Sequence, residues 1–322
     1  MNIRIAPLLL VVMMVVAAGA GAQSWPSRPV RVLVSSAAGG TPDIVARLVA
    51  ERIGQLLGQQ IVVDNKPGGA NIIGAQAAAR APADGYNMFF VTAATLVTNP
   101  YTFKSLPYDP QHDFVPVAMV GKAPFMILVN SHVQAKTLRD LIALDKSDPG
   151  KLSVATDGRR NFSGMVAAWL NKLAGTQLQL IPYAAMPQGV QDTLADRTQV
   201  VILAVPSAAA FIKRGELRAL AVTSDFRVPG YDDVPPVADT LAGFNFIGWF
   251  ALVAPRGTPA AAIEGMNQAA GKALNAPDLA NRLHDVGVID QGAGTPDELG
   301  QFIERDRVAW GRVVKEIGIT PE

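Results

Sequence analysis

Cysteine is absent from the chain, and histidine occurs only three times in 322 residues. The first absence excludes disulfides, thiol catalysis and thiolate metal sites, so stability has to come from an apolar core. His112, His132 and His284 lie far apart, and no H-E-x-x-H pair offers a zinc site. An excess of charge of one sign is missing too, with 28 basic residues against 27 acidic ones. That balance supports neither a nucleic-acid partner nor attachment to anionic lipid. There is no G-x-S-x-G nucleophile elbow and no lysine–carboxylate pair at a spacing suited to acid–base work. The absences favour a binding protein over an enzyme.

Long hydrophobic runs are equally scarce. Leu8 to Ala18 is one, preceded by Arg4 and followed by Ala20-Gly21-Ala22, the small-x-small pattern that signal peptidase reads. At 11 residues it is short for a membrane span of about 20. Residues 1–22 are therefore expected to be a signal peptide, cut between Ala22 and Gln23, with the mature protein soluble in the periplasm. No cysteine stands at the cleavage site to carry a lipid. Removing Arg4 leaves 27 basic and 27 acidic residues.

What is present is an alternation of β-rich and helical stretches. Val30–Val34 reads as a strand, and Thr41, Pro42 and Asp43 suit the N-cap, first position and first turn of a helix reaching about Leu57. Gln60–Val63, Ile72–Ala81 and Asn87–Val91 continue as strand, helix and strand, which argues for βαβ units and a parallel sheet. Val115–Val129, interrupted by Gly121 and Pro124, reads as a strand passing between two bodies. The alternation then restarts: strand Lys151–Ala155, helix Ser163–Leu173, strand Gln177–Ile181, helix Gly189–Asp196 and strand Thr198–Leu203. A second β-rich passage, Phe244–Ala254, precedes helical segments that run to the end. The expected class is α/β, with two lobes and two crossings between them.

Two loops match in kind. VLVSSAAGGTPDIVARLV (32–49) and KLSVATDGRRNFSGMVAAWL (151–170) each run from a strand through a polar glycine-containing loop into a helix. Each offers free N–H groups where the helix dipole favours an anion. A helix terminus alone contributes about 0.3–1 kcal/mol, and hydrogen bonds to charged groups about 1.5–3 kcal/mol each. Three or four of the latter, less ordering costs, reach the roughly −8 kcal/mol of a micromolar complex. AAGGTPD has neither the G-x-G-x-x-G spacing nor the G-K-[ST] ending of a nucleotide loop. A carboxylate site and a purely structural loop stay open on pattern alone.

A longer series of segments narrows the choice. WPSRPVRVLV, GGTPDIVARLVAERIGQLLGQQIVVDNKPGGANIIGA, ADGYNMFF and LPYDPQHDFVPVAMV resemble, in order and spacing, the substrate receptors of tripartite tricarboxylate transporters, the Bug-type binding proteins. AKTLRDLIAL, IPYAAMPQGVQDTLADRTQVVI, PSAAAFIKRGELRALAVTS and GWFALVAPRGTP extend the resemblance over essentially the whole mature chain. It implies a two-lobed Venus-flytrap fold of the type II periplasmic binding proteins, closing on a small organic carboxylate and docking transiently to membrane permease subunits. It also implies a monomer without cofactor or metal, with lobe 1 over 23–122, lobe 2 over 123–245, and a return to lobe 1 over 246–322. Carried over by position, the pincer loops are Ser35, Ser36, Gly39, Gly40, Thr41 and Asp43 on one side. Thr156, Asp157, Arg160, Asn161 and Ser163 stand on the other. Thr92, Ala93 and Thr95, then Ala204, Pro206 and Ser207, fall where further ligand-facing loops are expected.

The departures from the family pattern carry information. Ser35-Ser36 stands where relatives show Pro-Phe, Arg159-Arg160 precede the second helix, and Leu203 replaces an Asp common among relatives. Fewer acids and more arginines in one cleft favour a dicarboxylate, aromatic ones included, over an amino acid. Each residue also has a plain role: Asp43 suits a helix first turn, Asn161 and Ser163 suit caps, and adjacent arginines are commonly solvated. A sensor that presents its ligand to a receptor, and an exported enzyme on the same scaffold, are the competing functions.

Overall fold

Two five-stranded sheets of the same topology organise this computed structural model, which describes residues 25–183, 185–244 and 246–321. The signal peptide expected over 1–22 lies outside the described residues. The first sheet contains β1 (Val30–Val34), β2 (Ile61–Asn65), β3 (Asn87–Thr92), β4 (Phe114–Ala123) and β10 (Gly248–Pro255), ordered β2-β1-β3-β10-β4. The second contains β5 (Phe125–Asn130), β6 (Ser153–Thr156), β7 (Gln179–Pro182), β8 (Val200–Ala204) and β9 (Leu217–Val222), ordered β7-β6-β8-β5-β9. In each, three parallel strands are followed by one antiparallel strand before the edge.

The expected parallel sheets are thus mixed, for a physical reason. The antiparallel strands, β10 and β5, are the two that arrive from the opposite lobe, so each enters its sheet from the far end. The expected single strand over Val115–Val129 is two strands, broken at Pro124, which has no N–H for a ladder and marks the first crossing. The second crossing lies between β9 and β10. Thr223 ties the two together: its hydroxyl accepts from Phe125 N at 3.0 Å and its amide donates to Phe125 O at 2.9 Å.

The helices follow α1 (Thr41–Leu57), α2 (Ile72–Ala79), α3 (Asn99–Thr102), α4 (Leu138–Ser147), α5 (Phe162–Ala174), α6 (Met186–Leu194), α7 (Val205–Lys213), α8 (Ala260–Leu274), α9 (Pro277–Asp285) and α10 (Pro296–Glu316). In α1 the N-cap is Gly40, with Thr41 one place inside the helix and Pro42 within the first turn. A wider turn, Ala94–Thr98, leads from β3 into α3 as a π-helix, a form often found at functional sites.

The last helix, α10, begins with a complete capping box, Thr295 accepting from Glu298 N while Glu298 accepts from Thr295 N. It packs on β4 and on α5, and so joins elements of both sheets. Its Trp310 packs at a tilt against Phe246, 4.0 Å between ring centroids, and Phe162, 5.9 Å. One continuous apolar core therefore runs from Leu33 and Phe89 of the first sheet to Val154 and Val200 of the second.

A second interlobe contact is tighter. Gly287 has φ of +72°, and a Cβ there would sit 2.2 Å from Pro206 Cγ at the start of α7. Gly287→Ala combines this clash with a conformation that L residues avoid. We expect a loss of about 2 kcal/mol in urea unfolding; an unchanged midpoint would show that the lobes do not bear on each other there.

Candidate functional site

The carboxyl ends of the parallel strands in both sheets feed loops that face one another, which is where ligands bind in open α/β sheets. Between them lies a cavity of about 410 Å³, a volume ordinary for small-ligand sites. Elements of both lobes and Trp310 form its wall.

On the first lobe the wall comes from two helix starts. After β2, the segment Lys66-Pro-Gly-Gly-Ala-Asn turns into α2 with Ala70 at φ 52° and Asn71 at φ 74°. Left-handed backbone is unusual for a non-glycine residue and tends to persist at binding sites. After β3, Ala93 and Ala94 open the π-turn, and Thr98, Asn99 and Thr102 continue the wall. A buried network holds these two starts together: Asn99 Nδ2 donates to Ala70 O at 2.9 Å, and Tyr108 Oη donates to Thr95 O at 2.8 Å. Burial pushes the Tyr108 hydroxyl up to about 12, so it stays a neutral donor.

The second lobe contributes the loop before α5 and the helix's first turn: Asp157, Arg160, Asn161, Phe162 and Met165. Arg160 Nη2 donates to Thr320 O at 3.2 Å, tying this loop to the end of the chain. Asp157 is drawn into the loop instead of pointing free. Its amide donates to Ser163 Oγ at 2.8 Å, and Ser163 Oγ donates to its Oδ1 at 2.5 Å. Burial raises the Asp157 carboxyl above the usual range, against opposing hydrogen bonds from Ser163 and the Gly164 amide.

Of the residues singled out from sequence, Ala93, Asp157, Arg160 and Asn161 share this cavity. The first pincer loop lies outside its wall. There Asp43 is a brace, accepting from Gly39 N at 2.8 Å, Asn65 Nδ2 at 2.9 Å and Arg47 Nε at 3.0 Å. Burial opposes its charge, yet these bonds, led by Arg47, hold its carboxyl below the usual range. Ser35 is buried against Gly74 of α2, and the Ser35 and Ser36 hydroxyls have no hydrogen-bond partner among the described residues. Gly39, at φ 81°, and Gly40, donating to Ala37 O, shape the same turn, and Thr41 is exposed at the helix start.

The remaining candidates spread out. Thr92 Oγ1 lies 3.4 Å from Thr95 Oγ1 at the end of β3. Thr156 donates to Ile181 O and, with Arg159, lines a separate open depression. The adjacent arginines thus line different depressions. Ser163 is buried behind the loop. Ala204 ends β8, and Ser207 faces a small apolar groove with Phe211, beside Leu203. Sequence reasoning missed Ala70, Asn71, Asn99 and Trp310. Tandem glycines before the small-residue helix were the available signal for the first two. Among the described residues, no group of three or more His, Cys, Asp or Glu is placed to hold a metal ion.

Trp310 shares a carboxylate with Trp249 of β10. Asp306 of α10 accepts from Trp249 Nε1 at 2.7 Å and from the Trp310 indole, with Lys122 of β4 nearby. Burial pushes its carboxyl up to about 6. The folded state then holds this proton more tightly than the unfolded chain, so stability falls as pH rises from about 4 to above 6. The loss is about 3 kcal/mol at most. Asp306→Asn is expected to flatten that part of the pH–stability curve measured by urea unfolding; an unaltered slope would assign the pH dependence elsewhere.

Comparison with known proteins agrees with this architecture. The pattern of the Tripartite tricarboxylate transporter family receptor matches residues 45–319. Protein BugT of Bordetella pertussis is 31% identical, over 94% of this chain and 93% of its own length. The structure of R. palustris Rpa4515 with adipate superposes with a TM-score of 0.79 at 29% identity, over 92% of this chain and 100% of that one. MatC from Rhodopseudomonas palustris with bound malate gives 0.73 at 28% identity, over 90% and 100%. The chain belongs to the tripartite tricarboxylate transporter receptor family, the solute-binding receptors that include the Bug proteins.

Proposed function

We propose that the protein is exported to the periplasm as a cleaved monomer, captures a small dicarboxylate between its lobes, and delivers it to the permease of a tripartite transporter. The observation that carries this reading is the interlobe cavity itself, with helix starts from both lobes and one arginine meeting around about 410 Å³. The first-lobe helix starts and the arginine favour carboxylate oxygens. Phe103, Phe162 and Trp310 give the rest of the wall an apolar and aromatic surface suited to the body of the ligand. The adipate and malate in the two related structures are both dicarboxylates. Donors on both lobes favour the closed population only through their greater affinity for that state.

A thermal-shift panel of mono- and dicarboxylates tests the proposal. A dicarboxylate at a hundredfold excess over its dissociation constant should stabilise the protein by about 2.7 kcal/mol. No stabilisation by any dicarboxylate would contradict it. Turnover of the best hit on long incubation would favour the competing enzyme reading.

A further inference from the structure

Accepting the dicarboxylate reading, we propose that Asp157 is a specificity-determining residue. It fills the start of α5 with the chain's own carboxylate and so selects a dicarboxylate that brings a hydroxyl donor to that side of the cavity.

Most donors at this helix end are already engaged. Asn161 N donates to Gly158 O at 3.1 Å, and Met165 N donates to Asn161 O at 2.9 Å. The amides of Ser163 and Gly164, with the Ser163 hydroxyl, serve Asp157. Asn161 Nδ2 donates to Asp157 O at 2.6 Å, so this capping side chain is also engaged. The loop is pressed onto the first turn: a Cβ on Gly164 would sit 2.0 Å from Gly158 O. A ligand carboxylate therefore meets a crowded helix end, where of the first-turn amides only that of Phe162 keeps no partner among the described residues.

Asp157 nevertheless lines the cavity. Beyond the bond from Ser163 to Oδ1, the carboxylate retains acceptor capacity. Among the described residues it is the one acidic residue in the cavity wall, and Arg160, on the same loop, is the one basic residue. A second carboxylate placed against Asp157 meets a like charge, so the ligand's carboxylates belong with the first-lobe helix starts and with Arg160. The group facing Asp157 has to carry a hydrogen. An ammonium group would meet the guanidinium of Arg160 in the same wall, which favours a neutral hydroxyl.

The test compares three four-carbon acids by titration calorimetry: succinate without a substituent, malate with a hydroxyl, and aspartate with an ammonium group. Wild-type protein should bind malate at least tenfold more tightly than succinate or aspartate. Asp157→Asn keeps an oxygen for Ser163 and the amides but turns a donor toward the cavity. It should erase or invert the malate-over-succinate ratio. Equal wild-type affinities, aspartate as the tightest ligand, or a ratio unmoved by Asp157→Asn would each overturn the inference while leaving the dicarboxylate reading intact. Absence of binding by every dicarboxylate in the thermal-shift panel would instead overturn that reading, and this inference with it. Should the variant fail to fold, the wild-type ratios alone still decide.

Discussion

Trp310→Ala is expected to cost about 3–5 kcal/mol of folding stability, the range for removing a large buried aromatic side chain. The indole is 3% exposed and stands on a helix that packs against both lobes. It meets Phe246 near the second crossing and Phe162 at the start of α5. Its loss leaves a void that those rings cannot close without moving a helix and a crossing segment together. The same ring walls the cavity, so ligand affinity should fall along with stability. Trp310→Phe, which keeps most of the ring, should recover at least half of the lost stability. Urea unfolding of the pair checks this, and a loss below about 1 kcal/mol for the alanine variant would mean that the aromatic bridge holds little together.

Arg160→Ala is expected to weaken dicarboxylate binding by about 10- to 100-fold, the equivalent of one charge-assisted hydrogen bond. Its effect on folding should stay below about 1 kcal/mol, because the residue is exposed. The separation of the two effects is informative, since Trp310→Ala moves both. Arg159→Ala is the internal control: that side chain lines a separate depression, and its loss should leave affinity within about twofold. Calorimetric titration of both variants with one dicarboxylate decides the matter. Unchanged affinity for Arg160→Ala would remove its carboxylate role.

The fold was legible wherever local pattern and topology coincide. VRVLV, the helix from Thr41 and the strand at Asn87 appear where hydrophobic alternation and proline placement put them. The direction of β10 and β5 was not legible, because a strand's own residues do not record which lobe it arrives from. The wide turn at Ala94–Thr98 was missed for a related reason: ATLVT reads equally well as an extension of the preceding strand.

The site divides in the same way. The loop before α5 was found because polar residues, glycine and a helix start coincide in sequence. The opening stretch SSAAGGTPD has the same local form, yet Asp43 satisfies its Gly39 amide and ties it to Asn65. The neighbouring loop through Ala70 and Asn71 forms the cavity wall instead. Asp157 does for the second loop what Asp43 does for the first, but from within the cavity. Trp310, over a hundred positions from the other wall residues, entered only through the return of the last helix.

The central claim is that a small dicarboxylate binds across the two lobes. Titration calorimetry of the wild-type protein against dicarboxylates and neutral amino acids tests it most directly. The account predicts one-to-one binding of at least one dicarboxylate, with a dissociation constant near or below about 10 µM, and no heat from neutral amino acids. One-to-one binding of a neutral amino acid, with every dicarboxylate silent, would contradict it.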